Sequence, residues 1–179
     1  LEEDIMEIND ILNQFLDFAR GFQEEPKVPV NLGKLLKDIQ NKHKRMGQTF
    51  TLKKKNIRTD IPKKLFIDLR ILAFQRCLDN LINNAFSYSK DKVVLEASLL
   101  EESFTISIID NGPGIPENQK SKLLLPFERV DQARGNKGGS GLGLTIADRI
   151  VKAHDGKLEL INRPEGGLTA KITIPIISA

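Results

Sequence analysis

Two asparagines one helical turn apart could help to hold a metal ion that is bound to phosphates. Asn80 and Asn84 lie in an apolar-patterned segment at positions i and i+4, so their amides share one helix face, which Tyr88 continues. Mg²⁺ accepts neutral amide oxygens but usually keeps several waters and is held through the phosphates of its ligand. The pair fits a Mg²⁺–nucleotide anchor, although two helical asparagines are more often surface residues.

A carboxylate followed by glycines forms the second candidate. Asp110 ends an apolar segment and precedes Asn-Gly-Pro-Gly-Ile at residues 111–115. A carboxylate held at a strand end can accept the exocyclic amine of a base such as adenine, and Gly112 and Gly114 let the backbone approach a planar ring without a Cβ. A plain turn after a strand uses the same residues, and this segment alone favours the turn.

The third candidate is the stretch 135–143, which holds five glycines and runs directly into an apolar helix. Free N–H groups and the positive end of the helix dipole favour a polyphosphate there. A dinucleotide fingerprint is excluded because position 144 is leucine, and the Gly-Lys-Ser/Thr of a P-loop is absent. Arg129 and Arg134 lie just before this stretch, where they could balance charge on a γ-phosphate, with surface arginines as an equal alternative.

An α+β fold, with one mixed sheet covered on one face by helices, would bring these segments together. Strands are predicted at residues 28–31, 49–55, 65–67, 92–100 and 104–110, followed by a hairpin at 157–162 and 168–175. Helices are predicted at residues 32–45, at 68–88 with Asp68 as N-cap, at 116–124 and at 142–153.

The N-terminus reads as an appendage to this domain. Apolar residues at spacings of four and three over residues 1–20 predict a bundle helix, and prolines at 26 and 29 mark a linker. We therefore predict a helix of a bundle at residues 1–22, a linker at 23–29 and a domain at 30–179.

The amino-acid composition limits the class of protein and the kinds of partner. The chain has 179 residues, 40% of them hydrophobic and 28% charged, which is ordinary for a soluble domain. Its net charge of +3 lies partly in lysine runs, which read as solvated surface because no nucleic-acid motif accompanies them. The single cysteine, Cys77, is predicted to be a buried structural thiol. His43 is predicted to face solvent, and His154 to be a cation at a helix C-terminus.

The motifs together resemble the catalytic ATP-binding domain of bacterial sensor histidine kinases, whose fold is shared with gyrase B, Hsp90 and MutL. Asn-Leu-Ile-Asn-Asn-Ala at 80–85 is similar to the N box, and Asp-Asn-Gly-Pro-Gly-Ile-Pro at 110–116 to the G1 box. Pro-Phe-Glu-Arg at 126–129 resembles the F box, and Gly-Ser-Gly-Leu-Gly-Leu at 139–144 the G2 box. Residues 17–21 and 127–134 look most like EnvZ-type osmosensing kinases.

The resemblance implies a two-layer sandwich in which a mixed five-stranded sheet is covered on one face by three helices. It implies ATP and Mg²⁺ as cofactors, Asn84 as metal ligand, Asn80 near the phosphates, Asp110 on the adenine amine, and residues 135–144 as a lid. Catalytic roles fall to Asn80, Arg129 and Arg134. The remaining implied nucleotide contacts are Ser87, Tyr88, Lys90, Gly112, Gly114, Ile115, Phe127, Gly139, Ser140, Gly141, Leu142, Gly143 and Leu144.

The resemblance implies that residues 1–22 are the C-terminal helix of the dimerisation and histidine-phosphotransfer bundle and that residues 30–179 are the catalytic domain. The implied function is phosphoryl transfer to a histidine on a bundle helix outside this chain, then to a response regulator. The implied whole protein is a homodimer with this portion on the cytoplasmic side of the inner membrane, and nucleic acid is not a partner. Ser87 replaces the family's usual Lys or Arg, with Lys90 as the substitute, and Leu124 and Leu125 replace the F-box Phe and Glu. The alternatives are an ATP-hydrolysing clamp of the gyrase kind and a silent nucleotide-binding module.

Overall fold

The computed structural model describes residues 9, 12, 15, 16, 24–55, 66–89, 92–100, 102–128 and 141–176. Residues 9, 12, 15 and 16 are helical and exposed, and the rest of the predicted bundle helix lies outside the described residues. The boundaries at residues 22 and 29 therefore stay predictions. Among the described helices, none is both long and apolar enough to cross a membrane.

Three helices and seven strands make up the described fold. In chain order they are β1 (Val28–Asn31), α1 (Leu32–Arg45), β2 (Thr51–Lys55), β3 (Phe66–Leu69), α2 (Ile71–Tyr88), β4 (Val94–Leu99), β5 (Ser103–Ile109), α3 (Gly143–Lys152), β6 (Lys157–Asn162) and β7 (Leu168–Pro175). The predicted α+β sandwich is confirmed, because β2, β4, β5, β7 and β6 form one mixed sheet in that order. Only the β2–β4 pairing is parallel among the described strands of this sheet.

The core lies between one face of the sheet and the helices. Alternating side chains of the central strands, such as Ile106 on β5 and Ile172 on β7, are fully buried and face α2 and α3. The predicted helix at residues 32–45 forms as α1 with its apolar stripe buried, and Asn31 caps it by accepting from the Lys34 N–H at 2.8 Å. This packing fixes α2 and α3 against the sheet.

The start of α2 differs from the prediction. Asp68 is not its N-cap, because Asp68 pairs with Pro29 in the antiparallel β1–β3 ribbon and the strand continues to Leu69. The helix begins at Ile71, and the side chain of Arg70 at the N-cap position makes no capping bond. Strand pairing with a distant segment therefore prevailed over the local capping preference of an aspartate.

The short helix predicted at residues 116–124 is also wrong in type. The chain instead forms two separate 3-10 turns, Glu117–Gln119 and Lys122–Leu124. Few residues of this segment are buried: Leu123 is the buried side chain of the second turn, and the first turn has none. Without an apolar face to bury, three-residue turns form in place of a continuous α-helix.

His43 is buried, which contradicts its predicted exposure. Only 1% of His43 is exposed, and its Nε2 lies 2.9 Å from the Asp79 carboxylate while its Nδ1 lies 2.6 Å from Gln48 Oε1. Its ring also meets Phe50 edge to face. Its neighbours Lys42 and Lys44 are charged, but His43 is on the apolar side of α1, and a partner on α2 satisfies it there.

His154 is also not the predicted cation. Its Nε2 accepts the Arg70 N–H at 2.9 Å and its Nδ1 lies 2.7 Å from the Ile150 carbonyl, an arrangement that a neutral imidazole satisfies. Burial lowers the pKa of His154, and the nearby charges of Lys27 and Arg70 lower it further. Cys77 is buried as predicted, and burial raises the pKa of its thiol.

Candidate functional site

The helices α2 and α3 pack antiparallel, and this packing sets the position of the asparagines. Cys77 Sγ on α2 lies 3.8 Å from the Ala147 carbonyl on α3, and one turn further along α2 the side chain of Asn80 lies against Gly143. A Cβ added to Gly143 would be 3.9 Å from Asn80 Cγ. The second half of α2 therefore extends beyond the start of α3, and together they form one side of the candidate site.

Asn84 and Tyr88 lie on this extending half of α2. Asn84 is half-buried, whereas Tyr88 is 37% exposed. Ser87 is also exposed, and its hydroxyl donates to the Asn83 carbonyl at 2.9 Å, as serines within helices commonly do. Because Asn80, Asn84 and Tyr88 all belong to α2, they share one helix face as the i, i+4 spacing predicts, and their contacts to a ligand stay predictions.

Two buried polar atoms on these helices have no hydrogen-bond partner among the described residues. They are Asn80 Nδ2 and the hydroxyl of Thr145, which lies in the first turn of α3 and is 4% exposed. The N-cap residue of α3 is Leu142, whose side chain makes no capping bond to the first N–H groups of this helix. Buried unsatisfied donors need an explanation, and a bound anionic ligand provides one. Thr145 was missed by the sequence analysis.

Asp110 forms the opposite wall of the site. It is 5% exposed, and its Oδ1 accepts the N–H of Gly112 at 2.8 Å and that of Leu168 at 3.1 Å. Burial raises the pKa of the Asp110 carboxyl, while these two N–H groups and the guanidinium of Arg163 oppose the shift. Both bonds are to Oδ1, which orients the carboxylate and leaves Oδ2 as an acceptor for an exocyclic amine.

Glycines make the close approaches around Asp110. A Cβ on Gly112 would lie 2.6 Å from the Tyr88 carbonyl, which joins this loop to the end of α2. Gly167, in the turn between β6 and β7, has φ +97°, and a Cβ there would lie 2.2 Å from the Asp110 carbonyl. The hairpin backbone can therefore reach the Asp110 peptide only because position 167 has no side chain.

Asn162 and Arg163, at the end of β6, bond to residues 110–115, and neither was among the predicted site residues. The Asn162 amide accepts the Ile115 N–H at 2.9 Å and donates to the Ile115 carbonyl at 2.7 Å. Arg163 donates to the Asp110 carbonyl at 3.0 Å. Gly114, with φ +75°, passes directly over Asn162, where a Cβ would be 2.8 Å from its Oδ1. The end of β6 thus fixes both ends of residues 110–115.

The predicted F-box and G2-box residues meet at the start of α3. Gly141 has φ +72°, and a Cβ there would lie 2.9 Å from the Phe127 carbonyl carbon. Phe127 itself is 59% exposed, whereas Leu142 is fully buried. Leu144 packs with Ile115 in a small apolar cluster. Lys90, Arg129, Arg134, Gly139 and Ser140 lie outside the described residues, so their assigned positions stay predictions.

The described residues fit a nucleotide better than a protein-ligated metal. The described part of the chain contains no group of three or more His, Cys, Asp or Glu residues that could hold an ion. It does contain a buried, oriented carboxylate, a glycine-lined loop and a helix N-terminus beside two buried polar atoms that have no partner among the described residues. These are groups that would contact, respectively, a base, a planar ring and phosphates.

Comparisons with known proteins agree with this geometry. Adaptive-response sensory kinase SasA from Prochlorococcus marinus (strain MIT 9313) is 35% identical over 126 residues, covering 67% of this chain and 34% of SasA. Sensor protein kinase WalK from Staphylococcus aureus is 36% identical over 175 residues, covering 92% of this chain and 41% of WalK. The chain therefore spans between about a third and two fifths of the length of these curated relatives.

Solved structures give the same result for the fold. The histidine kinase domain of the E. coli osmosensor EnvZ superposes with a TM-score of 0.65 at 27% identity, covering 86% of this chain and 91% of that one. EnvZ is one of several histidine kinase domains that superpose to a similar degree. The family described as "Histidine kinase-, DNA gyrase B-, and HSP90-like ATPase" matches residues 70–178, which is more than half of the sequence. The chain therefore belongs to this ATPase family.

Proposed function

We propose that this chain is the ATP-binding catalytic part of a two-component sensor histidine kinase. The γ-phosphoryl group of ATP is transferred to a histidine on a bundle helix outside this chain and then to an aspartate of a response regulator. The relatives SasA and WalK, which are named as sensory kinases, support this proposal. The resemblance to sensor histidine kinases also implies a homodimer, which we propose for the whole protein.

The observation that carries the proposal is the environment of Asp110. Its carboxylate is buried and oriented through Oδ1 by two backbone N–H groups, so that Oδ2 can accept the amine of adenine. Gly112 and Gly114 keep side chains away from the plane in which the ring would lie. A plain turn would not require a buried carboxylate, because turn-forming aspartates are satisfied at the surface.

Asn80 favours transfer over hydrolysis. Hydrolytic members of the resembled superfamily carry a glutamate at this position to activate water, and an amide is a poor base. A neutral imidazole is already a nucleophile, so it needs less activation. In the transfer step a P–N bond to the imidazole forms while the bond between the γ-phosphorus and the bridging oxygen breaks. ADP leaves with that oxygen, and the imidazole loses its N–H proton to solvent.

The remaining predicted contacts complete the proposed site. Asn84 Oδ1 would bind Mg²⁺ together with the ATP phosphates, since one amide plus phosphates and waters suits this ion. The first N–H groups of α3 and Asn80 Nδ2 would contact the phosphates. Arg129 and Arg134 would balance the γ-phosphate charge, and Lys90 would replace the basic residue that Ser87 lacks.

The finer assignments concern the whole protein. Attachment to the inner membrane, with this part on the cytoplasmic side, is proposed from the sensor-kinase relatives. An osmosensing role is proposed from the EnvZ-like residues 17–21 and 127–134 and from the superposition on EnvZ. Loss of growth under osmotic stress after deletion of the gene, with rescue by the intact gene, would test that role.

The test of the proposed function uses the chain and a separate bundle polypeptide that bears an acceptor histidine. We expect the chain to bind Mg²⁺–ATP in calorimetry and to incorporate no label from γ-labelled ATP when alone. Adding the bundle polypeptide should give an acid-labile, base-stable label on that polypeptide. His43 and His154 are 1% and 2% exposed, so neither is accessible as an internal acceptor.

Each negative result has a defined meaning. Steady release of inorganic phosphate at the same rate with and without the bundle polypeptide would support the clamp instead. ATP binding with neither label nor phosphate release would support a silent module. Absence of ATP binding would refute the assignment of the site itself.

A further inference from the structure

The predicted linker is bonded to the domain through Glu25. Its Oε1 accepts the Leu72 N–H at 2.8 Å and its Oε2 accepts the Ala73 N–H at 2.9 Å. These N–H groups belong to the first turn of α2, which has no intrahelical acceptor for them. A carboxylate is also favoured there by the positive end of the helix dipole. Glu25 thus performs the capping that was predicted for Asp68.

The same end of α2 is joined to the C-terminal end of α3. The N–H of Arg70 donates to His154 Nε2 at 2.9 Å, and Arg70 Nη1 donates to the Ala153 carbonyl at 3.0 Å. The His154 ring also packs edge to face on Phe74 of α2, with 5.5 Å between ring centroids. The helices α2 and α3 are therefore tied together where the linker is bonded.

Lys27 provides a second, weaker connection to this junction. Its Nζ lies 3.1 Å from the Asp155 carboxylate, just beyond the end of α3. Asp155 is 65% exposed, and an exposed pair of this kind contributes little stability by itself. Pro26, whose ring fixes its φ, lies between Glu25 and Lys27. The Lys27–Asp155 pair therefore still restricts the direction in which the chain enters the domain.

The linker junction and the candidate ATP site lie at opposite ends of one helix pair. The C-terminal end of α3 meets the linker, whereas its N-terminal end lies against Asn80. The ten residues of α3 span about 15 Å. Because the two helices are packed along this length, the direction of the linker is fixed relative to the side chains that would hold the phosphates.

We propose that Glu25 is a positioning residue for phosphoryl transfer, which fixes the predicted bundle helix relative to the nucleotide. This inference rests on the proposed function. Without the two bonds from Glu25 the linker would pivot around Pro26, and the γ-phosphate would meet the acceptor histidine less often in the reactive geometry. ATP affinity would not change, because Glu25 contacts only the end of α2 that is remote from the site.

The first measurement is amide exchange on this chain with Glu25→Ala, with Glu24→Ala as control. Glu24 is an exposed linker glutamate, so its replacement changes the charge equally. In Glu25→Ala we expect the Leu72 and Ala73 amides to exchange about fivefold faster, as for loss of a helix cap. Unchanged exchange would show that the contact does not hold the linker and would overturn the inference. Glu25→Gln keeps the side-chain shape and one acceptor oxygen, and it replaces Glu25→Ala in the exchange measurement if the alanine variant unfolds.

The second measurement is transfer, at saturating ATP, to a polypeptide whose acceptor-bearing helix pairs with the predicted bundle helix at residues 1–22 of this chain. We expect Glu25→Ala to lower the transfer rate by about tenfold, because misplacement of reacting groups is costly. The Kd for ATP should stay within about twofold of the parent chain. Faster exchange with an unchanged transfer rate would overturn the positioning role while leaving the proposed function intact. Failure of the parent chain to transfer at all would refute the proposed function and this inference with it.

Discussion

Replacing Asp110 by asparagine should separate the proposed recognition of the base from folding. The asparagine Oδ1 can still accept the N–H groups of Gly112 and Leu168, since these two bonds use one oxygen of the aspartate. Its Nδ2 then occupies the position of Oδ2 and presents a donor where the adenine amine also donates. The loop geometry is preserved, while the proposed contact to the base is lost.

The magnitude follows from the bond that is lost. A hydrogen bond to a charged group contributes about 1.5–3 kcal/mol, and 1.4 kcal/mol is a factor of ten in Kd. The affinity for Mg²⁺–ATP should therefore fall roughly 10- to 150-fold. The folded protein should not lose stability, because burial disfavours the charged form of Asp110 and raises its pKa, and a neutral amide avoids that cost.

Calorimetry with ATP and GTP, together with thermal unfolding, measures this prediction. Guanine presents an acceptor where adenine presents its amine, so Asp110→Asn should bind GTP relatively better and the ratio of ATP to GTP affinity should fall. Asp38→Asn is the matched control, because Asp38 is exposed on α1. An ATP affinity within twofold of the parent chain, in a variant that unfolds at the same temperature, would refute the role given to Asp110.

Three further predictions test the surroundings of the site. Gly167→Ala should weaken ATP binding and stability by more than Gly166→Ala, because both residues have positive φ but only position 167 lacks space for a Cβ. Calorimetry gives the ATP affinity of the two variants, and urea unfolding gives their stability. The pKa of His154 is lowered in the fold, so the unfolded chain protonates His154 more readily and the free energy of unfolding falls as pH drops below about 6.5. His154→Gln should remove this contribution to the pH dependence of stability, measured by urea unfolding. His43→Ala should cost about 1–3 kcal/mol in the same assay, because the carboxylate of Asp79 loses a buried partner.

The glycine prediction is tested by comparing the Gly167 and Gly166 variants, and the His154 prediction by comparing the parent chain with His154→Gln. Equal losses of ATP affinity in the two glycine variants would show that backbone strain alone, and not the approach to Asp110, explains the need for glycine. Equal pH slopes with and without the imidazole would contradict the assignment of a neutral, buried His154.

Elements with a local signal were predictable from the sequence. The helix α1 agrees in both bounds with the predicted residues 32–45, and in the structure an Asn31 cap, a buried apolar stripe and a basic last turn all support the same segment. The hairpin of β6 and β7 agrees for a similar reason, since alternating strands flank a Pro-Glu-Gly-Gly turn. In these segments, residues within a few positions of one another decide the conformation.

Side chains whose partners are remote in the sequence were not predictable in the same way. His43 lies among charged neighbours on α1, but its environment is set by Asp79, which is 36 positions away. His154 follows a helix, but its ring accepts an N–H from a residue 84 positions away. In both cases a local pattern indicated a solvated or charged imidazole, whereas tertiary contacts determine its burial and protonation.

The same reason explains why the support of the Asp110 loop was missed. Asn162, Arg163 and Leu168 bond to residues 110–115 across sequence separations of 47 to 58 positions. The available signal was the pair Gly166-Gly167, which a hairpin turn explains sufficiently through positive φ. What distinguishes Gly167 is its contact with the Asp110 carbonyl, and that depends on where β7 joins β5 in the sheet. The proposed base-recognition site therefore depends on the sheet order, because the loop after β5 and the turn before β7 meet only when these strands are neighbours.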